Sequence, residues 1–339
     1  MGANGLVLVG FAAWILAPSA TAPAPGVRDA PAPTLEATLD APPPTKAEVL
    51  DLPGLRFGIS APDVPWSGDR SEWLAEQAGA APTMIQFFVN WNQSYPPETV
   101  EASYRRGALP MVSWEPWAGS AEGISQPEYA LAKIADGDFD EYLRRFAAAV
   151  RDHGWPIAIR FAHEMNGHWY PWSEQSSGNR PGEFVQAWRH LHDVFEEVGA
   201  TNVIWLWSPN ILRPVPGVSL EALYPGDDYV DWVGMVGYAV TEDTAGAVFD
   251  PTLASLREFT DRPVVITETG AQPGAGKVEW IEDFFGWLSA HPDVIGFIWF
   301  EYHPDQGASA DWRFTTNPET IQAFRDGIAT ARLAPPLGG

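Results

Sequence analysis

Two glutamates, Glu164 and Glu268, are the residues of this chain whose type and surroundings are best suited to chemistry. Around the first, residues 159–172 place Arg160, His163, Asn166, His168, Trp169, Tyr170 and Trp172 at the exit of an apolar, β-rich run. A carboxylic acid there can protonate a leaving oxygen, amides and imidazoles can grip hydroxyls, and flat rings can stack on the apolar faces of pyranose rings. Such a site needs a second carboxylate, and Ile266-Thr267-Glu268-Thr269-Gly270 offers one at the end of another apolar run. Burying a carboxylate there is costly unless it is paired or used, so the two together point to cleavage of a glycosidic bond. Carboxyl oxygens roughly 5–5.5 Å apart would give retention through a covalent intermediate, and about 6.5–9.5 Å would admit a water and give inversion.

Other chemistries fit less well. His163 and His168 are five residues apart and follow a strand, whereas a zinc protease places its histidines four apart on one helical face, so no metal is expected. Asp136, Asp138 and Asp140 alternate like calcium ligands but lack the glycine such a loop requires, and they read as a polar helix start. No lysine ends a predicted strand to form a Schiff base, and there is no cysteine to act as nucleophile or metal ligand. No cofactor is called for.

The elements that must position these groups are short. Apolar or alternating runs predict eight strands, at 55–60, 83–89, 109–114, 156–163, 202–207, 232–238, 263–268 and 294–300. Between them, apolar residues at three- and four-residue spacing predict helices, most clearly at 139–152, 182–198, 252–260, 278–290 and 318–331. Alternating units of this kind, without a glycine-rich turn after the first strand, indicate a single (β/α)8 TIM barrel, an α/β fold whose reactive groups gather at the carboxyl ends of the strands. Those ends carry Ser60, Asp63, Asn90, Trp91, Trp114, Glu115, Trp117, His163, Glu164, Ser208, Asn210, Tyr238, Glu268, Trp299 and Glu301. The opposite ends carry ordinary turn residues such as Gly154 and Asp231. By strand alternation Arg160 points into the barrel below Glu164, where a buried guanidinium must be paired and can orient a site carboxylate. Tyr238 is placed to donate to Glu268; Trp169 and Trp299 are candidate stacking platforms, and Asn210 and Trp117 further sugar contacts.

Three regions follow from composition. Residues 1–24 hold an apolar run, 6–16, too short to cross a bilayer core of about 30 Å as a helix; it reads as a signal peptide or anchor, for a secreted or cell-envelope protein. Residues 25–53 are rich in Pro and Ala and read as a disordered linker, leaving 54–335 as the barrel. Of 339 residues, 45 % are hydrophobic, enough for a large core. With 20 basic residues and a net charge of −24, no nucleic-acid partner is expected, a polyanionic substrate is disfavoured and a neutral polysaccharide or oligosaccharide favoured. The 17 tryptophans suit the latter, and the chain is expected to act as a monomer.

These residues resemble glycoside hydrolase family 26, the β-mannanase family of retaining (β/α)8 enzymes, over about 55–330. The resemblance is carried by 160–172, by Trp207-Ser208-Pro209-Asn210, by 224–234, by 266–270 and by Asp311-Trp312-Arg313-Phe314. It implies Glu164 as general acid/base, Glu268 as nucleophile, and His163, Trp169, Tyr238 and Trp299 lining the subsite of the attacked sugar. The implied activity is endo cleavage of a β-linked polysaccharide, with β-1,4-mannan first and β-glucan or β-1,3-xylan as alternatives. From a different class, a barrel that binds or guides a polysaccharide without cleaving it competes, although it has no physical need for two costly carboxylates.

Overall fold

In the computed structural model, which describes residues 43–240 and 243–337, eight parallel strands close on themselves in the order β1 to β8. They are β1 Arg56–Ser60, β2 Met84–Asn90, β3 Leu109–Glu115, β4 Ile157–Phe161, β5 Val203–Trp207, β6 Trp232–Val236, β7 Val264–Thr269 and β8 Val294–Phe300. The barrel is thus the expected TIM fold, with strand positions within a few residues of the sequence reading.

Nine α-helices are found among the described residues: α1 Lys46–Asp51, α2 Gly68–Ala78, α3 Pro97–Arg105, α4 Leu131–Ala135, α5 Asp140–His153, α6 Glu183–Val198, α7 Ala245–Leu256, α8 Lys277–Ala290 and α9 Pro318–Thr330. Helix α6 shows why they form. Its Phe184, Ala187, Trp188, Leu191, Val194 and Phe195 make one buried stripe, and Gly199 ends it with φ 82°, which costs glycine least. Helix α7 starts earlier than expected. The missing N–H of Pro251 reads as a helix start, yet Thr244 caps the true one by accepting from Ala247 N, and the helix carries Pro251 in its interior.

The linker expectation needs correcting at its carboxyl end. Thr45 and Glu48 form a capping box that starts α1, and Val49 is buried in the core. Arg56, at the base of the barrel, donates to Val49 O at 2.7 Å and to Leu52 O at 3.0 Å, so α1 satisfies a buried guanidinium. The expected signal peptide or anchor, 1–24, and the expected linker up to residue 42 lie outside the described residues.

A polar layer crosses the barrel's middle. Arg160 Nε donates to Ser208 Oγ and Nη1 to Ser113 Oγ, both at 3.0 Å; Gln86 Nε2 donates to Ser113 Oγ at 2.9 Å, and Ser208 meets Thr267 Oγ1 at 2.7 Å. The guanidinium is fully buried. Gly234 makes room for this layer, since a Cβ there would lie 2.7 Å from both Ser208 Cβ and Thr267 Cγ2. Outside the strands, indoles do the packing: Trp114 stacks on Phe146 of α5 at 4.3 Å, and Trp205 meets Phe195 of α6 edge-on at 5.1 Å. Trp114, Trp172, Trp188, Trp207, Trp232 and Trp299 are all fully buried, so much of the tryptophan content serves the core.

Candidate active site

Two irregularities bring the carboxyl groups to the barrel mouth. Strand β4 is regular through Phe161, then Ala162 (φ 45°) and Glu164 (φ 54°) enter the left-handed region, a strain of about 1–3 kcal/mol for each L-residue. Neighbouring strands hold them there: Ala162 N donates to Trp114 O at 3.0 Å and Glu164 N to Ser208 O at 2.7 Å. In β7 the register with β6 runs Met235 to Ile266, then Val236 to Glu268, and with β8 it shifts between Ile266 and Thr269. That bulge inserts one extra residue, so Thr267 and Glu268 both reach partners inside the barrel although strict alternation would separate them.

Glu268 receives three donors. Arg160 Nη1 lies 2.5 Å and Gln86 Nε2 3.2 Å from Oε1, and the Tyr238 hydroxyl lies 2.8 Å from Oε2. Burial, followed by the charge of Glu268, pushes the Tyr238 phenol well above its usual range, so it remains a donor. The Tyr238 ring packs on Trp312, 4.6 Å between centroids.

Glu164 has a different setting. Trp169 Nε1 donates to its Oε2 at 2.6 Å and the Asn210 side chain also bonds to it. Asn210 is itself clamped by Asn166, which accepts from Asn210 N and donates to Asn210 O, each at 2.8 Å. Burial, reinforced by Glu268, raises the Glu164 carboxyl to about 7, against the opposing pull of Arg160, Trp169 and Asn210. One carboxyl group is therefore ion-paired and the other holds its proton to near neutrality, the division of labour an acid and a nucleophile require.

The remaining expected residues are placed as follows. Arg160, Trp169, Tyr238 and Asn210 each contact one of the two carboxyl groups. His163 is fully buried, with Nε2 3.3 Å from the Tyr170 hydroxyl; burial and then Arg160 push its pKa well below the usual range, leaving a neutral imidazole. Trp299 is not at the mouth. It lies on the helix side of β8 with no exposure, against Phe324 of α9 at 5.1 Å and Trp280 of α8 at 6.1 Å, because alternation along β8 turns Ile298 inward and Trp299 outward. Its Nε1 donates to Trp312 O at 3.0 Å, so it supports the loop that carries the ring beside Tyr238. Trp117 is 4 % exposed, edge-on to Tyr170 and Trp172, and donates to Glu115 Oε2 at 3.1 Å; it holds an acid rather than offering a face.

Sequence reasoning missed Gln86 and Ser113 beneath Glu268 and the place of Trp312 beside Tyr238. A glutamine within the apolar run Met84-Ile85-Gln86-Phe87-Phe88 was a signal for the first. Trp312 follows the last strand in a loop, where no periodicity could place it.

The description "Glycosyl hydrolase family 26" belongs to a family model that matches residues 126–273, a span containing Glu164, Asn210, Tyr238 and Glu268. The chain is 30 % identical over 296 residues to endoglucanase H of Acetivibrio thermocellus, covering 83 % of this chain and 31 % of that protein. It is 28 % identical over 173 residues to a mannan endo-1,4-β-mannosidase of Bacillus subtilis, covering 50 % and 42 %. Against a β-1,3-xylanase of a Vibrio species it is 22 % identical over 233 residues, covering 61 % and 47 %. The chain thus spans less than half the length of each of these curated relatives. Among solved structures, a GH26 β-mannanase from Bacteroides ovatus shares the fold with a TM-score of 0.63 and 18 % identity, covering 86 % of this chain and 93 % of that one.

Proposed function

This barrel belongs to glycosyl hydrolase family 26, and on that premise we propose that it is a retaining endo-β-glycosidase, with β-1,4-mannan as leading substrate. The observation that carries the reading is the contrast between a carboxylate holding three donors and a carboxyl group raised to about 7. In the first step Glu164 gives its proton to the glycosidic oxygen while Glu268 attacks the anomeric carbon, releasing one sugar fragment and forming a glycosyl ester. Then Glu164 accepts a proton from water, the water oxygen bonds to the anomeric carbon, and Glu268 leaves as carboxylate. Arg160, Tyr238 and Gln86 favour that departure because they are already aimed at the returning charge.

The mannosidase relatives support mannan. A β-glucan reading is kept because the match to endoglucanase H runs over 83 % of this chain against 50 % for the mannosidase. The chain spans only 31 % of that endoglucanase, so the named activity need not reside in the matching part. The apolar run at 6–16 supports export, which would bring the barrel to extracellular or envelope polysaccharide.

The deciding experiment is product release from glucomannan, galactomannan, mixed-linkage β-glucan, β-1,3-xylan and laminarin, comparing the natural chain with Glu268→Ala. Oligosaccharides should appear only with the natural chain, initially with retained anomeric configuration, and Glu268→Ala should lose at least about a thousandfold in rate. Full activity of that variant, or inversion, would end the assignment. Tight binding of a polymer without cleavage would instead favour the guiding barrel.

A further inference from the structure

A third buried carboxyl group stands at the mouth, with no part in the two-step cleavage. Glu115 ends β3, beside the strand that carries Arg160. Its backbone is fixed: the carbonyl accepts from Trp91 N at 3.1 Å and from Trp117 N at 2.9 Å. Its side chain is fixed as well, for Trp117 Nε1 donates to Oε2 at 3.1 Å and the Trp117 ring is wedged edge-on against Tyr170, 5.7 Å away, and Trp172, 5.4 Å away. The other oxygen, Oε1, has no protein partner among the described residues and is not sealed from solvent.

Glu301 supplies the comparison. It follows β8 and is buried still more completely, and both its oxygens are used, one by Phe314 N at 3.0 Å and the other by the Thr315 hydroxyl, which together pin the loop bearing Trp312. A carboxyl group kept for structure is satisfied in that way. One that holds a rigid, open oxygen near Glu164 and Glu268 is suited to meet a ligand.

We propose that Glu115 binds the sugar, its free oxygen making a hydrogen bond with a hydroxyl of the bound pyranose; this rests on the glycosidase reading and adds a contact to it. The charge state suits a donor. Burial pushes the Glu115 carboxyl up to about 8; the Trp117 hydrogen bond and Arg160 oppose the rise, and Glu268 and Glu164 add to it. At neutral pH the proton sits on the acid, available at Oε1 to a hydroxyl oxygen while Oε2 remains with Trp117. The groups facing it are Arg160 on β4, Glu164 at the β4 exit, Glu268 on β7 and the phenol of Tyr170. Ionisation would remove the donor and add a further negative charge.

The test is calorimetric titration of mannotetraose and cellotetraose between pH 6 and 9, in a Glu268→Gln background that stops turnover, with Glu115→Gln and Glu115→Leu added. An amide still accepts from Trp117 and still donates, so Glu115→Gln should keep the affinity at pH 6 and retain only the loss common to both proteins as Glu164 ionises near 7, whereas the parent should weaken further as pH rises through about 8. Glu115→Leu should bind roughly tenfold more weakly at pH 6. A parent with flat pH dependence, together with unaltered binding by Glu115→Leu, would overturn the proposal. Should Glu115→Leu fail to fold, the same alkaline loss in Glu115→Gln as in the parent would overturn it. Cleavage of a panel glycan by the natural chain, undiminished by Glu115→Leu, would sink this contact alone; a natural chain that neither binds nor cleaves any of them would sink the glycosidase reading and this contact with it.

Discussion

Trp169 shows how a single side chain tunes the proposed acid. Its indole N–H meets Glu164 Oε2 at 2.6 Å, and a donor to a carboxyl oxygen favours the ionised form. Gly167 makes that contact possible, because a Cβ there would stand 2.4 Å from two ring atoms of Trp169. Removing the donor should raise the Glu164 pKa above about 7, so in Trp169→Phe the alkaline limb of kcat/KM moves to higher pH. The rate at the optimum should fall by roughly tenfold or more, since a hydrogen bond to a charged group is worth about 1.5–3 kcal/mol. A pH–rate profile checks both; an unmoved limb would show that the acid is another group. Trp299, by contrast, contributes through packing on α8 and α9, and nothing places it against a sugar.

At the scale of elements, the site depends on two departures from regularity and on one short helix. The left-handed residues after β4 and the bulge in β7 aim Glu164 and Glu268; both cost local stability and persist because neighbouring strands and the polar layer hold them. Helix α1 works at the other end of the barrel. With Leu52, the residue that ends it, it supplies both carbonyl acceptors of Arg56, whose guanidinium lies over the Trp232 ring at 5.1 Å. Deleting residues 1–53 should therefore leave a buried donor unpaired at a cost of about 1–3 kcal/mol, besides removing the Val49 contacts. Against a chain lacking 1–42, its Tm should be lower by several degrees, on the order of 2–4 °C per kcal/mol. Equal melting temperatures by calorimetry would show that α1 does not close the base.

The whole molecule combines a net charge of −24 with carboxyl groups that are costly to ionise. Burial raises Glu115 to about 8 and Glu164 and Glu301 to about 7. Each binds its proton more tightly folded than unfolded, so its contribution is fully present below the ordinary carboxylate pKa near 4.3 and is lost as pH rises toward the folded value. The mutual repulsion of surface carboxylates acts in the same direction. Thermal stability should thus fall between pH 5 and pH 8, and Glu301→Gln should flatten the slope; a Tm that rises over this interval would contradict the account.

The amino-acid sequence determined the barrel by itself, because eight apolar runs separated by helical stripes leave few other ways to bury both faces of a parallel sheet. It determined the two carboxyl groups as well, since an acid at the end of an apolar strand announces its own cost. Alternation also placed Arg160 correctly, within a regular stretch of strand. What only the tertiary structure decided lies where regularity ends. The turn at Ala162 and the bulge at Glu268 break the two-residue period, so pattern alone could not orient either carboxyl group. Loop residues such as Trp312 obey no period, and the free oxygen of Glu115 differs from the satisfied ones of Glu301 only through partners distant in the chain.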